Sequence, residues 1–298
     1  MKTAASSRVI VLAAGGTGGH IFPAVALAEV LRARGFAPHL ITDHRFHHYN
    51  KSSGDGVLGQ IPIHTIRAGS LGGGLVRKAK NVLGIGMGVV QAWRLLRTLK
   101  PHAVVGFGGY PSFPTMVASI ISGQHTIIHE QNSVLGRVNR VLARWAQTIA
   151  TSYADTRKVP PAASSRVVLT GNPVRAAVCN ISKVDYPELT EDGLLRVLVL
   201  GGSQGASVFS DIIPKALAQL PMELRARIRL DQQCRVGEMD DVRTRYQAIG
   251  MQVDIAPFFA DVAARLAAAH LVICRAGAST VAELMVAGKP AILVPLPI

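Results

Sequence analysis

Short apolar runs alternate with amphipathic stretches along almost the whole chain. The apolar runs are rich in Val, Ile and Leu, which is typical of strands buried on both faces of a parallel sheet. The stretches between them predict helices, such as Phe22–Arg34, Gln91–Leu99, Ala206–Leu220 and Thr280–Ala287. The alternation predicts an α/β protein. The predicted strands are Arg8–Ala14, His39–Thr42, Ala103–Gly106, Thr126–His129, Thr148–Ala150, Val167–Leu169, Arg196–Leu200, Ile228–Asp231, Gln252–Ile255, Leu271–Cys274 and Ala291–Val294.

The two halves of the chain begin in the same way. In each half a strand leads into a glycine-rich turn and then into a helix. Val9–Ala14 precedes Gly15–Gly19, and Val197–Leu200 precedes Gly201–Gly205. This repetition predicts two Rossmann-like, doubly wound parallel-sheet domains that face each other across a cleft.

The length and a change of composition place the boundary between the domains. A chain of 298 residues fits two domains better than one. The stretch from 171 to 192 carries prolines and mixed polar residues, with Asn172–Arg175 at its start. We therefore predict domains at residues 1–172 and 173–298.

The bulk composition narrows the class of protein. Hydrophobic residues make up 49% and charged residues 17%, which is a globular composition. Cys179, Cys234 and Cys274 have no C-x-x-C spacing, so neither a disulfide framework nor a zinc site is predicted, and a reducing cytoplasm fits. No apolar run of about 20 residues predicts a membrane span. The apolar start of the chain is interpreted as the first strand and not as a signal peptide.

The net charge of +14 indicates an anionic partner. Nucleic acid, an anionic membrane surface and a phosphate-bearing substrate are the three alternatives. A nucleic-acid site would interleave basic residues with aromatic residues that stack on bases. Aromatic residues make up only 5% of this chain and are not interleaved in that way, so nucleic acid is the least favoured partner.

Three glycine-rich turns follow predicted strands, at Gly15–His20, Phe107–Ser112 and Gly201–Ala206. Glycine lets the backbone approach a ligand closely, and a following helix N-terminus favours an anion. Ligands of open α/β sheets bind at the carboxyl ends of the strands, where all three turns lie. One such turn alone could be only a tight turn, but the three together predict a binding edge.

None of these turns matches a standard nucleotide or metal motif. The dinucleotide fingerprint fails because Ile21 stands where its third glycine belongs, and Asp43 fits a turn as well as a ribose site. Gly201–Ser207 contains no lysine, so it is not a Walker A loop. His129–Ser133 begins like H-E-x-x-H but lacks the second histidine. We predict no metal and no cofactor.

Polar side chains at the same edge are candidates for chemistry. His20 lies beside a predicted helix start, where a neutral imidazole could act as a general base, or could only cap or pack. Glu130 and Asn132 form a polar pair just after a strand.

Three further residues have two interpretations. Arg175 could hold a diphosphate or be a surface charge. Thr280 and Glu283 are three residues apart on a predicted helix, and they form either a capping box or a ribose-binding site.

The motifs, taken in order, resemble the MurG family, the UDP-N-acetylglucosamine:undecaprenyl-diphospho-muramoylpentapeptide N-acetylglucosaminyltransferases. The resemblance implies a GT-B fold. It also implies inverting transfer of N-acetylglucosamine (GlcNAc) from UDP-GlcNAc to the muramoyl 4-hydroxyl of lipid I, which gives lipid II in peptidoglycan synthesis. The matching segments are GGTGGHIFPA (Gly15–Ala24), VVGFGGYPSFP (Val104–Pro114), IIHEQNSVLGRVN (Ile127–Asn139), TGNPVR (Thr170–Arg175), LGGSQGA (Leu200–Ala206) and CRAGASTVAEL (Cys274–Leu284).

The resemblance also implies roles for individual residues. His20 is the candidate base, Ser203 would hold diphosphate, Phe259 would flank the uracil and Glu283 would bind ribose. The implied donor-binding residues are Thr17, Gly18, Gly19, Asn132, Arg175, Ser203, Gly205, Phe259, Thr280 and Glu283. The implied acceptor-side residues are Gly16, Tyr110 and Glu130.

The segment Leu75–Lys100 offers a cause for the charge. It contains basic residues and no acidic one, interleaved with apolar residues that include Trp93. It could be a core helix with a solvated basic face. The resemblance instead implies a patch that docks on anionic lipid, at the cytoplasmic face of the bacterial inner membrane.

The end of the chain departs from the family's pattern. The family continues beyond Pro295–Ile298, so we expect the second domain to be incomplete, which weakens the expectation of full activity. A truncated, inactive relative that only binds UDP-sugar or lipid is the main alternative. A different GT-B enzyme is the next alternative, and an NAD-dependent oxidoreductase is the least favoured.

Overall fold

Strands and helices alternate in the structure as the hydrophobic pattern predicts. The computed structural model describes residues 8–44, 60–69, 75–202 and 206–296, with side chains in the helix Leu75–Leu99 described from residue 82 onward. The first part of the chain forms β1 (Val9–Ala13), α1 (Gly18–Ala33), β2 (Ala37–Thr42), β3 (Ile63–Thr65), α2 (Leu75–Leu99), β4 (Ala103–Gly106), α3 (Phe113–Ile121), β5 (Thr126–Glu130), α4 (Arg137–Leu142), β6 (Thr148–Thr151) and β7 (Val167–Leu169). The second part forms α5 (Ala176–Cys179), β8 (Leu195–Leu200), α6 (Ser207–Ala218), α7 (Met222–Ala226), β9 (Ile228–Gln233), α8 (Met239–Ala248), β10 (Val253–Ala256), α9 (Val262–Ala268), β11 (Leu271–Arg275), α10 (Ala278–Ala287) and β12 (Ala291–Val294).

The chain divides into two compact units, Met1–Arg175 and Ala176–Ile298. Each is built on one parallel sheet. The first sheet has the order β3-β2-β1-β4-β5-β6-β7 and the second β10-β9-β8-β11-β12. In both sheets the chain runs outward from the first strand and then crosses to that strand's other side. The topological switch points therefore lie between β1 and β4 and between β8 and β11, where ligands of this architecture bind.

Helices cover both faces of the first sheet. Alternate residues of β1 point to opposite sides: Val11 packs in the cluster that includes Leu96 of α2 and Met116 of α3, while Leu12 packs in the cluster that includes Val25 of α1. These side chains are almost completely buried. Burying each large aliphatic side chain contributes about 1.5–3 kcal/mol, so the two clusters hold the end of β1 firmly in place.

The second sheet has one large apolar cluster. Val199 of β8 packs there with Phe209 of α6 and with Val242 and Tyr246 of α8. Burial raises the pKa of the Tyr246 hydroxyl well above its usual range. That hydroxyl donates a hydrogen bond to Oε1 of Gln232.

The predicted strands are all present, each within two residues at either end. Two helices begin at least four residues earlier than predicted. α1 begins at Gly18 and not at Phe22, and α2 begins well before the predicted Gln91. Each predicted start follows glycines that belong to the helix in the structure. Because glycines lower helix propensity, the sequence places the start of the helix after them. A Cβ at Gly88 of α2 would lie 2.0 Å from the carbonyl oxygen of Arg67, so this glycine allows close packing.

Strand β3 was not predicted. It is three residues long and lies at the edge of the sheet, where His64 of β3 and His39 of β2 meet side by side. Nδ1 of His39 lies 2.9 Å from Nε2 of His64. Burial lowers the pKa of both imidazoles.

Candidate active site

Two glycine turns meet at the switch point of the first sheet. Gly15 follows β1, and Gly108 and Gly109 follow β4. A Cβ at Gly15 would lie 2.7 Å from Cβ of Pro111, which is closer than real carbon atoms approach. The two turns therefore pack directly on each other, as the predicted binding edge requires.

His20 lies against Gly108 and Gly109 of the second turn. It is in the first turn of α1, whose N-cap is Thr17, and its backbone N–H donates to the carbonyl oxygen of Thr17 at 3.1 Å. A Cβ at Gly109 would lie 3.0 Å from Cδ2 of His20, and one at Gly108 would lie 3.5 Å from its Cε1. Gly108 and Gly109 have φ values of +82° and +74°, which other residues rarely adopt. These glycines shape the surface on which the imidazole lies.

The imidazole of His20 is held by Gln131. Nδ1 of His20 lies 3.0 Å from Oε1 of Gln131. Nε2 of Gln131 donates to the carbonyl oxygen of Phe107 at 3.0 Å and lies 3.0 Å from Nδ1 of His129. Nε2 of His129 in turn lies 3.0 Å from the carbonyl oxygen of Gly171. The chain of contacts therefore runs from the start of α1 through the end of β5 to the loop after β7.

His129 and Gln131 were not predicted as site residues. Their signal was the polar run HEQN at the end of a buried strand, in which we singled out only Glu130 and Asn132. His129 and Gln131 are both buried. Burial lowers the pKa of His129, although its bond to Gly171 and the charge of Glu130 oppose that shift.

Glu130 organises the loop that follows β5. One carboxylate oxygen accepts from the backbone N–H and from Nδ2 of Asn132, at 3.1 and 3.0 Å. The other accepts from the backbone N–H of Gly136 at 2.8 Å and from Nδ2 of Asn139 at 2.9 Å. The side chain is almost completely buried. Glu130 thus fixes the exposed Asn132, and Asn139 is a buried partner that sequence reasoning missed.

The remaining predicted residues of the first unit lie around the same edge. Tyr110 is half-buried in a short turn of 3-10 helix directly after Gly109. Gly16 has a φ of +88°. Arg175 is 7% exposed, and its guanidinium stacks at 4.6 Å on the ring of Phe22 in α1. Thr17 and Gly19 are exposed while Gly18 is buried.

In the second unit the glycine turn after β8 is described only in part. Ser203 and Gly205 lie outside the described residues. The backbone N–H of Gly201 donates to Oε1 of Gln233 at 3.2 Å. At the start of α6, the hydroxyls of Ser207 and Ser210 donate to the carboxylate of Glu238 and lower its pKa. This contact between two serines and a glutamate was not predicted.

Phe259 lies in the loop between β10 and α9 and is 5% exposed. The guanidinium of Arg265 lies 4.1 Å from its ring centre. The same guanidinium pairs with Asp231 at 2.9 Å, Asp254 at 2.7 Å and Asp261 at 2.9 Å. The Phe259 ring is therefore held by a charged cluster that was not predicted.

Thr280 and Glu283 share one helix, as predicted, but the capping-box interpretation is wrong. Helix α10 begins at Ala278 with Gly277 as its N-cap, so Thr280 is inside the first turn. Both side chains are half-buried. Because β11 and α10 flank the switch point of the second sheet, the pair lies at the binding edge of that unit.

Two kinds of feature are absent from the described part of the chain. No helix there has both the length and the apolar character needed to cross a bilayer. In the same part of the chain, no three His, Cys, Asp or Glu side chains are grouped closely enough to hold a metal ion.

Two parallel-sheet units with glycine turns at their switch points are typical of the GT-B fold, which this chain shares with MurG. Family models match both units: the glycosyltransferase family 28 N-terminal domain over residues 10–151 and the family 28 C-terminal domain over residues 196–298. Within that family, the chain belongs to the MurG family, as the following relatives show.

Its relatives include two enzymes named UDP-N-acetylglucosamine--N-acetylmuramyl-(pentapeptide) pyrophosphoryl-undecaprenol N-acetylglucosamine transferase. That of Paramagnetospirillum magneticum is 50% identical over 97% of this chain and 77% of the relative. That of Rhodospirillum centenum is 51% identical over 97% of this chain and 75% of the relative. The crystal structure of Acinetobacter baumannii MurG is 30% identical, with a TM-score of 0.68 over 98% of this chain and 78% of that one.

Proposed function

We propose that the chain transfers GlcNAc from UDP-GlcNAc to the muramoyl 4-hydroxyl of lipid I, the undecaprenyl-diphospho-muramoylpentapeptide, to form lipid II in peptidoglycan synthesis. The relatives named above carry out a transfer with these substrates, as their names state. One observation carries the proposal in this chain. The imidazole of His20 is fixed above two packed glycine turns at the switch point of the first sheet.

His20 supplies the general base in this proposal. The acceptor hydroxyl oxygen attacks C1 of GlcNAc, the bond from C1 to the diphosphate oxygen breaks and UDP leaves. The hydroxyl proton passes to Nε2 of His20, whose Nδ1 already contacts Gln131. Attack from the side opposite the leaving group inverts C1.

Residues 173–298 form the donor domain and residues 1–172 the acceptor domain in this proposal. The backbone amides of the Gly201 turn and the side chain of Ser203 bind the diphosphate, with the start of α6 favouring its negative charge. Arg175 adds a cation. Glu283, on the first turns of α10 with Thr280, binds ribose hydroxyls. The other proposed donor contacts are Thr17, Gly18, Gly19, Asn132, Gly205 and Phe259, and the acceptor-side contacts are Gly16 and Tyr110.

Glu130, an acceptor-side residue in this proposal, acts indirectly by positioning the donor contact Asn132. Three of its four hydrogen bonds come from the loop after β5 and the fourth from Asn139 of α4, so its carboxylate positions the exposed amide of Asn132. Asn132 is then the member of the pair that contacts sugar.

A transfer assay tests the function. Radiolabelled UDP-GlcNAc and a lipid I analogue are incubated with the chain, with His20→Ala and with His125→Ala, which removes an exposed histidine of the same unit. We expect lipid II from the unaltered chain, a loss of about 100-fold or more in kcat for His20→Ala, and full activity for His125→Ala. Binding of UDP-GlcNAc without transfer would support the inactive relative instead. Full activity in His20→Ala would remove that residue from the base role.

We further propose that α2 docks the enzyme on anionic lipid at the cytoplasmic face of the inner membrane. Its inner face is buried through Ala92 and Leu96. Its outer face exposes apolar side chains, with Leu83 69% exposed. Exposed basic residues continue the same stripe toward the end of the helix: Arg94 and Arg97. A face that is apolar at one end and basic at the other fits the boundary between acyl chains and anionic headgroups better than it fits water.

Vesicle sedimentation tests the docking. We expect binding to vesicles that contain phosphatidylglycerol and release by added salt, because the basic side chains are screened. Leu83→Glu should weaken binding, while Leu224→Glu, at a 49% exposed leucine of the second unit, should not. Equal binding to neutral and anionic vesicles would contradict the electrostatic part of the proposal.

A further inference from the structure

Gln131 has an amide whose orientation is fixed by its surroundings. One end of the amide lies 3.0 Å from the carbonyl oxygen of Phe107 and 3.3 Å from that of His129. A backbone carbonyl oxygen only accepts hydrogen bonds, so this end must be the NH₂ group. The other end, which faces His20, must then be the oxygen.

The oxygen of Gln131 fixes the tautomer of His20. An amide oxygen only accepts, so Nδ1 of His20 at 3.0 Å must carry the proton that is donated to it. In the neutral imidazole the other nitrogen, Nε2, is then an acceptor with a free lone pair. Among the described residues no protein group hydrogen-bonds to that Nε2.

His129 contacts the NH₂ end of the Gln131 amide, at the opposite end from His20. Its Nε2 lies 3.0 Å from the carbonyl oxygen of Gly171, so Nε2 carries a proton. Its Nδ1 faces the NH₂ group of Gln131 at 3.0 Å and must accept. His129 is therefore neutral and in the opposite tautomer to His20. Burial lowers the pKa of His129, which is consistent with that neutral state.

We propose that Gln131 is a positioning residue that selects the reactive tautomer of His20, with His129 and the carbonyl of Phe107 setting the orientation of the Gln131 amide. The two NH₂ hydrogens go to Phe107 and His129, and the oxygen is left for His20. A free imidazole favours the tautomer with the proton on Nε2, which would leave no lone pair toward the acceptor. Gln131 reverses that preference before substrate binds. This inference rests on the proposed role of His20 as base.

The tautomer is measured directly, without any activity. Two-bond ¹⁵N–¹H correlation spectra of the full chain, with His20 assigned from the His20→Ala variant, distinguish a protonated from an unprotonated ring nitrogen. We expect the Nδ1-protonated form of His20 and the Nε2-protonated form of His129 near pH 7.5. A His20 ring protonated on Nε2 would overturn the inference, whatever the activity of the enzyme.

A pair of substitutions tests the consequence for rate. Gln131→Met keeps the length of the side chain but replaces the amide oxygen with a thioether, which is only a weak acceptor, so the Nε2-protonated tautomer of His20 should return in the spectrum. The same change should lower kcat by about fivefold or more with KM within about twofold, because only a step in the transition state is affected. In a His20→Ala background Gln131→Met should have no further effect on kcat.

The outcomes separate the two proposals. If His20→Ala keeps full activity while the spectrum shows the expected tautomers, the base assignment fails and the Gln131 inference stands as a statement about the ring. If Gln131→Met lowers kcat equally in both backgrounds, Gln131 acts on folding or on substrate and the inference is wrong. Gln147→Met is the matched control, since that amide oxygen accepts only from the backbone N–H of Thr126, within the described contacts of the first unit.

Discussion

Replacing Glu130 with glutamine leaves its shape unchanged but puts an NH₂ group where the protein presents donors. The carboxylate accepts four hydrogen bonds of 2.8–3.1 Å, two at each oxygen, from Asn132, Gly136 and Asn139. Whichever oxygen is replaced, two N–H donors lose their acceptor and face another donor. The side chain is 2% exposed, so water cannot replace the lost bonds.

The size of the effect follows from these bonds. A hydrogen bond to a charged group contributes about 1.5–3 kcal/mol, and an orphaned buried donor costs about 1–3 kcal/mol. Relief from burying a charge offsets part of the loss. We expect Glu130→Gln to destabilise the first unit by about 2–5 kcal/mol. For a unit of this size a loss of 3 kcal/mol lowers Tm by about 6–12 °C.

Differential scanning calorimetry of the full chain measures the change. Asp155→Asn is the control, because Asp155 is exposed in the same unit, and it should change the stability by less than about 0.5 kcal/mol. A Tm for Glu130→Gln that matches the Tm of the control would contradict the expected loss of stability. It would mean that the four bonds contribute no net stability and that the carboxylate is not committed to its loop.

Three other perturbations have expected outcomes. Gly109→Ala should lower kcat as well as stability, because a Cβ there meets His20. The control Gly123→Ala, at a φ of +66° with nothing within 4 Å, should lower stability alone. Equal kcat values for the two variants would show that the contact between Gly109 and His20 does not matter for the rate. Arg265→Met should destabilise the second unit by about 1–3 kcal/mol in urea unfolding, because Asp231, Asp254 and Asp261 lose their shared cation. The control Arg243→Met, whose partner Asp240 is fully exposed, should change the stability by less than about 0.5 kcal/mol. Similar losses of stability in the two variants would contradict the role of the Arg265 cluster. Lowering the pH below 6.5 should destabilise the first unit, because burial lowers the pKa of His39, His64 and His129 in the folded chain, so the unfolded chain binds more protons from about pH 6.5 downward. The free energy of unfolding should then fall by up to about 1.4 kcal/mol per pH unit for each such proton, and a free energy that is flat from pH 7 to pH 5 would contradict these pKa shifts.

The strands and the ligand edge could be predicted from the sequence because two simple signals coincide there. Buried parallel strands are continuous apolar runs, and a glycine turn marks where such a strand ends. The run before Gly15 ended within one residue of the end of β1, and the run before Phe107 ended where β4 ends. Because both signals mark the same positions, the parallel α/β architecture could be predicted, and the two sheets of the structure confirm it.

Helix starts and the edge strand could not be predicted in the same way. Gly18 and Gly19 belong to the first turn of α1, where backbone N–H groups have no helical partner and propensity has little influence. Gly88 of α2 lets the helix pack closely against Arg67, which is a tertiary effect, whereas Gly84 and Gly86 have nothing within 4 Å. Strand β3 is too short for a period of two to be detected.

The candidate site shows the same division. His20 could be picked out because it stands at a helix start after a glycine turn, and Glu130 and Asn132 because polar residues at the end of a buried strand are conspicuous. The orientation of Gln131 could not, because it depends on the carbonyl oxygen of Phe107, 24 residues away along the chain. Hydrogen-bond partners that are distant in sequence leave no local pattern.

The stereochemistry of the product tests the central claim most directly. The full chain is incubated with UDP-GlcNAc, in which C1 has the α configuration, and with a lipid I analogue, and the purified product is examined by NMR. We expect a single GlcNAc joined to the muramoyl 4-hydroxyl through a β linkage. An α linkage, a bond to another hydroxyl, or free GlcNAc as the only product would contradict it.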